Sequence, residues 1–346
     1  MFDISLLTAS ADMNWFEAIV LSIVEGLTEF LPVSSTGHMI ITEGLFHMES
    51  TPFVKAFTVI IQFGAILSVV CLYWRRFFNP PVEVGKNTSW WGRIWPFYLK
   101  LIVGVLPAVV VGLKLGDFID ENLGSVNTVA AMLIIGGVFM LYCDKLFNKG
   151  SEQTPLTYKR ALMVGLYQCI AALLPGTSRS MATIVGGMQQ KLTRKMAAEF
   201  SFFLAVPTMF GAAVKEVYDL MKHGADITLA DGTVQHLTGT QVLTADGNLT
   251  TLLLGSLIAF VVALMAVKYF IHYIARYGFR AFGWYRIVVG AVILALPLCG
   301  VKLQTENENK TTTPHTESAA QSRTNIHSQR AISTPQRTIT ATQRPA

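Results

Sequence analysis

The residues with most chemistry in them lie together, in the stretch Val24-Glu25-Gly26-Leu27-Thr28-Glu29-Phe30-Leu31-Pro32-Val33-Ser34-Ser35-Thr36-Gly37-His38. Two carboxylates, a cluster of hydroxyls and an imidazole interrupt a run otherwise apolar enough to enter a membrane. Ionisable groups at such depth are costly and face a cavity or one another. Helical spacing puts Glu25 and Glu29 on one face, with Glu17 two turns upstream. Pro32 ends that helix, having no N–H and disfavouring helix at Leu31. Ser34, Ser35 or Thr36 can cap the next helix, whose free N–H groups and positive dipole end suit an anion. Ser35 and His38, three residues apart, supply a candidate nucleophile and a candidate acid or base.

A second stretch repeats the pattern with different charges: Gln168-Cys169-Ile170-Ala171-Ala172-Leu173-Leu174-Pro175-Gly176-Thr177-Ser178-Arg179-Ser180-Met181-Ala182-Thr183. At an offset of 143, Pro32 falls on Pro175, Ser35 on Ser178, Glu25 on Gln168 and Ala18 on Ala161, and the run from Phe57 falls on the run from Phe200. This reads as an internal duplication. Thr177, Ser178 and Ser180 offer a second anion-seeking helix start. The planar guanidinium of Arg179 matches phosphate oxygens. Glu25 and Glu29 would repel a phosphorylated ligand unless a hard divalent cation, Mg²⁺ or Ca²⁺, bridged the two. Plainer roles stay open: the hydroxyls as helix caps, His38 as part of a polar core, Arg179 as counter-ion to Glu25 or Glu29, and Glu199 as a helix N-terminal charge.

The positioning elements are membrane helices. Of 346 residues, 52% are hydrophobic and 14% charged, against about 25% charged in soluble domains; the mean hydropathy is +0.46. Six runs can span a bilayer, at about 56–74, 96–115, 126–143, 200–217, 252–270 and 284–301. Segments 14–48 and 161–190, broken by the proline motifs, read as helix-loop-helix hairpins that enter and leave on one side. The expected fold is therefore an all-α polytopic membrane protein, with six transmembrane helices and two re-entrant hairpins in an inverted-topology repeat. Its halves are 14–143 and 161–301 within a single domain, 1–301. Three crossings separate the broken segments, which turns the second copy upside down and sets the two breaks face to face near the midplane.

Charge orients the chain. With the N-terminus outside, the inner connections 75–100, 144–160, 191–199 and 268–286 carry most of the Lys and Arg, whereas the outer ones before the tail hold only Lys55, Lys114, Lys215 and Lys222. Trp74, Trp90, Trp91, Trp95 and Trp284 fall near predicted interfaces. Residues 223–250 form an outer loop with a hairpin around Ala230-Asp231-Gly232. Residues 302–346, rich in Thr, Ser, Gln and Asn, are expected to be disordered. The four cysteines lie in apolar runs, so neither a disulfide framework nor a Cys metal site is expected. Residues 1–13 have no basic n-region, and no removable signal is expected.

The 25–38 stretch, with Pro175-Gly176-Thr177-Ser178-Arg179-Ser180 and Glu199-Phe200-Ser201-Phe202, resembles the bacterial undecaprenyl-diphosphatase family of the bacitracin-resistance type, over about residues 14–301. The resemblance implies hydrolysis of undecaprenyl diphosphate to the monophosphate, recycling the lipid carrier of cell-wall polymers. It also implies an inner-membrane enzyme acting at the outer face, a divalent cation, and bacitracin resistance through competition for the substrate. The family's functional positions fall on Glu25, Glu29, Ser35, His38, Ser178, Arg179 and Thr183. No nucleic acid is expected as a partner, and a homodimer stays open. A polyprenyl-phosphate flippase using the same anion site is the alternative, because inverted repeats around a midplane site are also the plan of secondary transporters.

Overall fold

The computed structural model describes residues 13–49, 51–80, 89–123, 125–147, 149–228, 233–245, 247–301 and 303, with backbone alone for 117–123. The expected disordered tail and the tip of the 223–250 hairpin lie outside the described residues.

Helices dominate: α1 Trp15–Thr28, α2 Ser35–Leu45, α3 Pro52–Leu72, α4 Trp74–Phe78, α5 Trp90–Leu123, α6 Val126–Phe147, α7 Tyr158–Leu173, α8 Arg179–Gln189, α9 Arg194–His223, α10 Gly239–Thr244, α11 Asn248–Tyr277 and α12 Arg280–Ala295. Strands β1 Ala225–Thr228 and β2 Val234–Leu237 pair antiparallel, which gives the 223–250 loop its hairpin. Six helices are long and apolar enough to cross a membrane: Pro52–Leu72, Trp90–Gly116, Val126–Phe147, Arg194–His223, Asn248–Tyr277 and Arg280–Cys299. Each overlaps one expected run, and the differences sit at the ends. The first starts at Pro52 because Thr51 caps it by accepting from the Val54 N–H, with proline at the first helical position. The fourth runs on to His223, well past the apolar run, and stops at Gly224 with φ 64°.

Lipid-facing residues declare themselves by exposure. Leu113 is 74% exposed and Leu253 65%, values that would mark a sticky surface on a water-soluble protein. The interior is apolar and small-residue-rich, as close helix packing without a water-driven hydrophobic force requires. Gly26 on α1 lets that helix lie against the backbone of Ala259 on α11. Gly165 on α7 does the same against Gly104 on α5. Each broken segment thus packs against a long helix from the other half of the chain: α1 on α11, α7 on α5. α6 pairs with α12, and α3 with α9, across the same division.

Candidate active site

Both breaks are built the same way. Ser34 sits at φ 70°, ψ 97° and Ser178 at φ 74°, ψ 116°, and each hydroxyl accepts from the N–H three residues on, Gly37 in one and Met181 in the other. A non-glycine residue at positive φ costs about 1–3 kcal/mol and persists only where its surroundings demand it. The helices that follow also leave in matching fashion. His47 (φ 53°) and Lys191 (φ 64°) take the left-handed conformation, flanked by equivalent backbone hydrogen bonds.

This geometry corrects the register at the site. Upstream, the offset of 143 holds, since the buried positions Ala18, Leu21, Ser22, Glu25 and Gly26 of α1 match Ala161, Val164, Gly165, Gln168 and Cys169 of α7. Beyond the break the caps and exits match at 144. Ser178 therefore corresponds to Ser34, and Arg179, not Ser178, corresponds to Ser35. Sequence alignment on the prolines misses this because the break regions of the two copies differ by one residue.

The two matching positions converge on one carboxylate. The Ser35 Oγ donates to Glu29 Oε2 at 2.6 Å, and Arg179 Nη2 donates to Glu29 Oε1 at 2.7 Å. The pair is enclosed, its side chains 15% and 10% exposed for Arg179 and Glu29. Arg179 Nη1 also donates to the Ser201 carbonyl at 3.3 Å, and the guanidinium lies over the Phe30 ring. One turn back, Glu25 is fully buried and lies against the Glu29 carboxyl. It interacts electrostatically with both Glu29 and Arg179.

His38 is held separately. A carbonyl can only accept, so the 2.7 Å contact of Nδ1 with the Ser34 oxygen makes Nδ1 the protonated nitrogen. In the neutral ring Nε2 is then an acceptor, and it meets the Tyr285 hydroxyl at 2.7 Å with the two rings stacked. The structure thus brings Ser35 to Glu29 rather than to His38.

The remaining hydroxyls are tied to the protein. Ser180 Oγ donates to the Leu31 carbonyl at 2.7 Å, linking one break to the other. Thr183 Oγ1 donates back to the Arg179 carbonyl and bonds Ser201 Oγ at 2.6 Å. Ser178 Oγ also meets Ser180 Oγ at 3.0 Å. Thr177 is buried and Thr36 exposed. Glu17 closes a capping box with Asn14, a local role.

Sequence reasoning missed Tyr285 and its neighbour Arg286. Arg286 is fully buried and donates to the carbonyls of Pro32 (3.2 Å), Gly176 (3.0 Å), Met132 (3.1 Å) and Leu133 (3.4 Å). It satisfies one carbonyl from each break, carbonyls that irregular backbone inside a membrane would otherwise leave bare. The signal was present: an arginine within an apolar span faces the protein interior by default.

The chemistry of the donor set fits a hard divalent cation. Two neighbouring carboxyl groups one turn apart, both enclosed, offer the hard oxygen ligands such an ion takes. Among the described residues no cluster of three His, Cys, Asp or Glu exists. Glu25 and Glu29 would therefore share such an ion with hydroxyl, carbonyl or ligand oxygens.

Comparison with known proteins agrees on one group. The family model described as "BacA: Bacitracin resistance protein BacA" matches residues 18–292. The chain is 53% identical over 296 residues to the undecaprenyl-diphosphatase of Porphyromonas gingivalis, covering 84% of this chain and 99% of that one. It is 49% identical over 284 residues to that of Flavobacterium psychrophilum (82% and 96% covered) and 46% identical over 296 residues to that of Bdellovibrio bacteriovorus (84% and 99%).

Proposed function

Because the chain belongs to the bacitracin resistance protein BacA family, we propose that it hydrolyses undecaprenyl diphosphate to undecaprenyl phosphate and inorganic phosphate, with Glu25, Glu29, Ser35, His38 and Arg179 as its working residues. The observation that carries the reading at atomic level is the Ser35–Glu29–Arg179 chain. A hydroxyl suited to nucleophilic attack and a guanidinium suited to phosphate both bond the one carboxylate that could serve as base, which supports the reading.

Glu29 takes the Ser35 proton as Oγ attacks the terminal phosphorus. The bond from that phosphorus to the bridging oxygen breaks, and undecaprenyl phosphate leaves with the oxygen. Water then attacks the phosphoserine. Its proton passes to His38 Nε2, Glu29 returns the first proton to Ser35 Oγ, and inorganic phosphate departs. Arg179, freed to turn from Glu29 toward the substrate, stabilises charge on the transferring phosphoryl group. The Ser34 carbonyl keeps the His38 proton on Nδ1, so that Nε2 is available as the base. A magnesium or calcium ion held by Glu25 and Glu29 would supply charge neutralisation for the diphosphate.

The same reading sets the protein in a bacterial inner membrane with the site open to the outer face, where abundant enzyme opposes bacitracin by consuming the lipid the antibiotic sequesters. α1, α2, α7 and α8 hold 14, 11, 16 and 11 residues, each short of the ~20 a crossing needs. Two re-entrant hairpins in an inverted repeat are the arrangement these lengths support.

The test is phosphate release from undecaprenyl diphosphate by purified protein in detergent, where no transport can occur. Turnover that a chelator removes and added magnesium or calcium restores is expected, and a phosphoserine should be trapped at Ser35 on rapid acid quench. Binding without phosphate release would favour the flippase. Normal turnover by Ser35→Ala would replace the phosphoserine with direct attack by water.

A further inference from the structure

One side chain touches both helix breaks without belonging to either. Arg286 of α12 is fully buried, and its planar guanidinium donates from Nη1 to the Pro32 carbonyl at 3.2 Å and from Nη2 to the Gly176 carbonyl at 3.0 Å. These two carbonyls are equivalent, because the offset of 144 that relates the caps also relates position 32 to position 176. Each stands three residues before a working side chain, Ser35 in one break and Arg179 in the other.

We propose, resting on the hydrolase reading, that Arg286 is a positioning residue for the reaction: it sets the separation of the two breaks so that Ser35 and Arg179 reach one carboxylate. The equivalence of the bonded carbonyls is the first support. One rigid fork that bonds the same point in both frames fixes each frame against the other. Strain is the second. Two residues beyond each bonded carbonyl lies a serine at positive φ, Ser34 at 70° and Ser178 at 74°, and such conformations persist only where neighbouring structure over-determines them. These serines cap the helices whose first residues are Ser35 and Arg179.

The third support is a cradle shaped to this side chain. Arg286 Nη2 and Nε also donate to the Met132 and Leu133 carbonyls of α6, at 3.1 Å and 3.4 Å. The pair Gly136-Gly137 follows on the same helix, and a Cβ at Gly136 would lie 2.5 Å from Arg286 Nη2. Two carbonyls of α6 thus anchor the fork, and its glycines leave the room the fork occupies. Every one of these acceptors is a main-chain carbonyl. The preceding residue of α12, Tyr285, bonds His38 Nε2, so the same helix holds the imidazole as well.

The test compares Arg286→Lys with the wild type, both purified in detergent. Lysine keeps the charge, but a point donor cannot bond two equivalent carbonyls in one fixed plane. Turnover of undecaprenyl diphosphate per folded molecule should fall about 10²-fold, the cost of misplacing reacting groups by about 1 Å. A second readout follows the breaks directly, by pulsed electron spin resonance between nitroxides at Leu27→Cys and Ile170→Cys. These are equivalent, exposed positions five residues before Pro32 and Pro175, and the exposed Cys71 and Cys299 are replaced by alanine. One narrow distance is expected with arginine and a broadened distribution with lysine. A merely structural arginine predicts a lower Tm, with turnover per folded molecule and the distance both unchanged. That result, or a change in only one of the two readouts, would overturn the proposal. Should Arg286→Lys not fold, Gly136→Ala decides, since its methyl group displaces the guanidinium without removing the charge. A loss of about tenfold with a broadened distance is then expected, and wild-type values in either readout would overturn it. A wild type that releases no phosphate would sink the hydrolase reading alone, with the distance still deciding whether Arg286 sets the breaks.

Discussion

The two helix breaks share a backbone and differ in nearly every functional side chain. The first helical position of α2 is Ser35 and that of α8 is Arg179, yet both reach Glu29. At the matching buried positions of α1 and α7 stand Glu25, which lies against Glu29, and Gln168, which donates to Thr208. The two frames share their cap and exit geometry and are chemically complementary. One frame carries the carboxylates, the nucleophilic hydroxyl and the imidazole; the other carries the guanidinium.

The comparison is broken most severely at Glu29, where the halves meet. Glu29→Gln removes the base for Ser35 and the anchor of Arg179 together, and kcat/KM should fall by at least about 10³, at the upper end of proton-transfer contributions. Phosphate release measures it; a loss under tenfold would move the base elsewhere. Next comes Arg179. If its planar fork grips phosphate, Arg179→Lys should lower kcat/KM at least about tenfold, and Arg179→Ala further. If it serves only as counter-ion to Glu29, lysine should be tolerated and alanine should chiefly lower Tm.

Exchanging the matching pair sharpens the contrast. Glu25→Gln should abolish most turnover and raise the metal concentration needed for half activity, because the amide keeps one oxygen but cannot supply the charge that holds a hard cation. Gln168→Glu should lower Tm by putting a charge where the second frame has none, and it severs the bond to Thr208. Wild-type turnover and metal dependence in Glu25→Gln would put the metal site elsewhere. The smallest effect belongs to Tyr285→Phe, which keeps the ring stack but loses the bond to Nε2. Turnover should drop by about tenfold or less, against about 10²–10⁴ for His38→Ala. An equal loss in both would make the tyrosine hydroxyl, not the imidazole, the proton carrier.

Much of this was legible in the sequence. The six long helices follow from apolar run length, but their starts do not, because the caps Thr51 and Thr193 begin two of them several residues ahead of the apolar runs. The breaks follow from Pro32 and Pro175, and the hairpin from the polar composition of 223–250. The Ser35 partner was not legible, because helical spacing relates Ser35 to His38 but cannot say how six unwound or capping residues return the chain to Glu29. The one-residue register difference was hidden for a related reason, since prolines align by identity while caps align by dihedral angle. An arginine in an apolar span signals an inward role for Arg286, but the partners of Tyr285 and Arg286 were out of reach of any local pattern, lying 247 and 254 residues away in the first break.

That last separation has a consequence in time. The carbonyls of Pro32 and Gly176 receive their shared donor from the final long helix, the last to leave the ribosome. At about 5–20 residues per second, the first break waits on the order of ten to fifty seconds for Arg286 across those 254 residues. Until α12 docks, the carbonyls of Pro32 and Gly176 lack the donor they share in the finished fold. A chain halted before Arg280 would carry both breaks without the arginine that ties them together, so its two halves could not yet meet as they do in the finished fold.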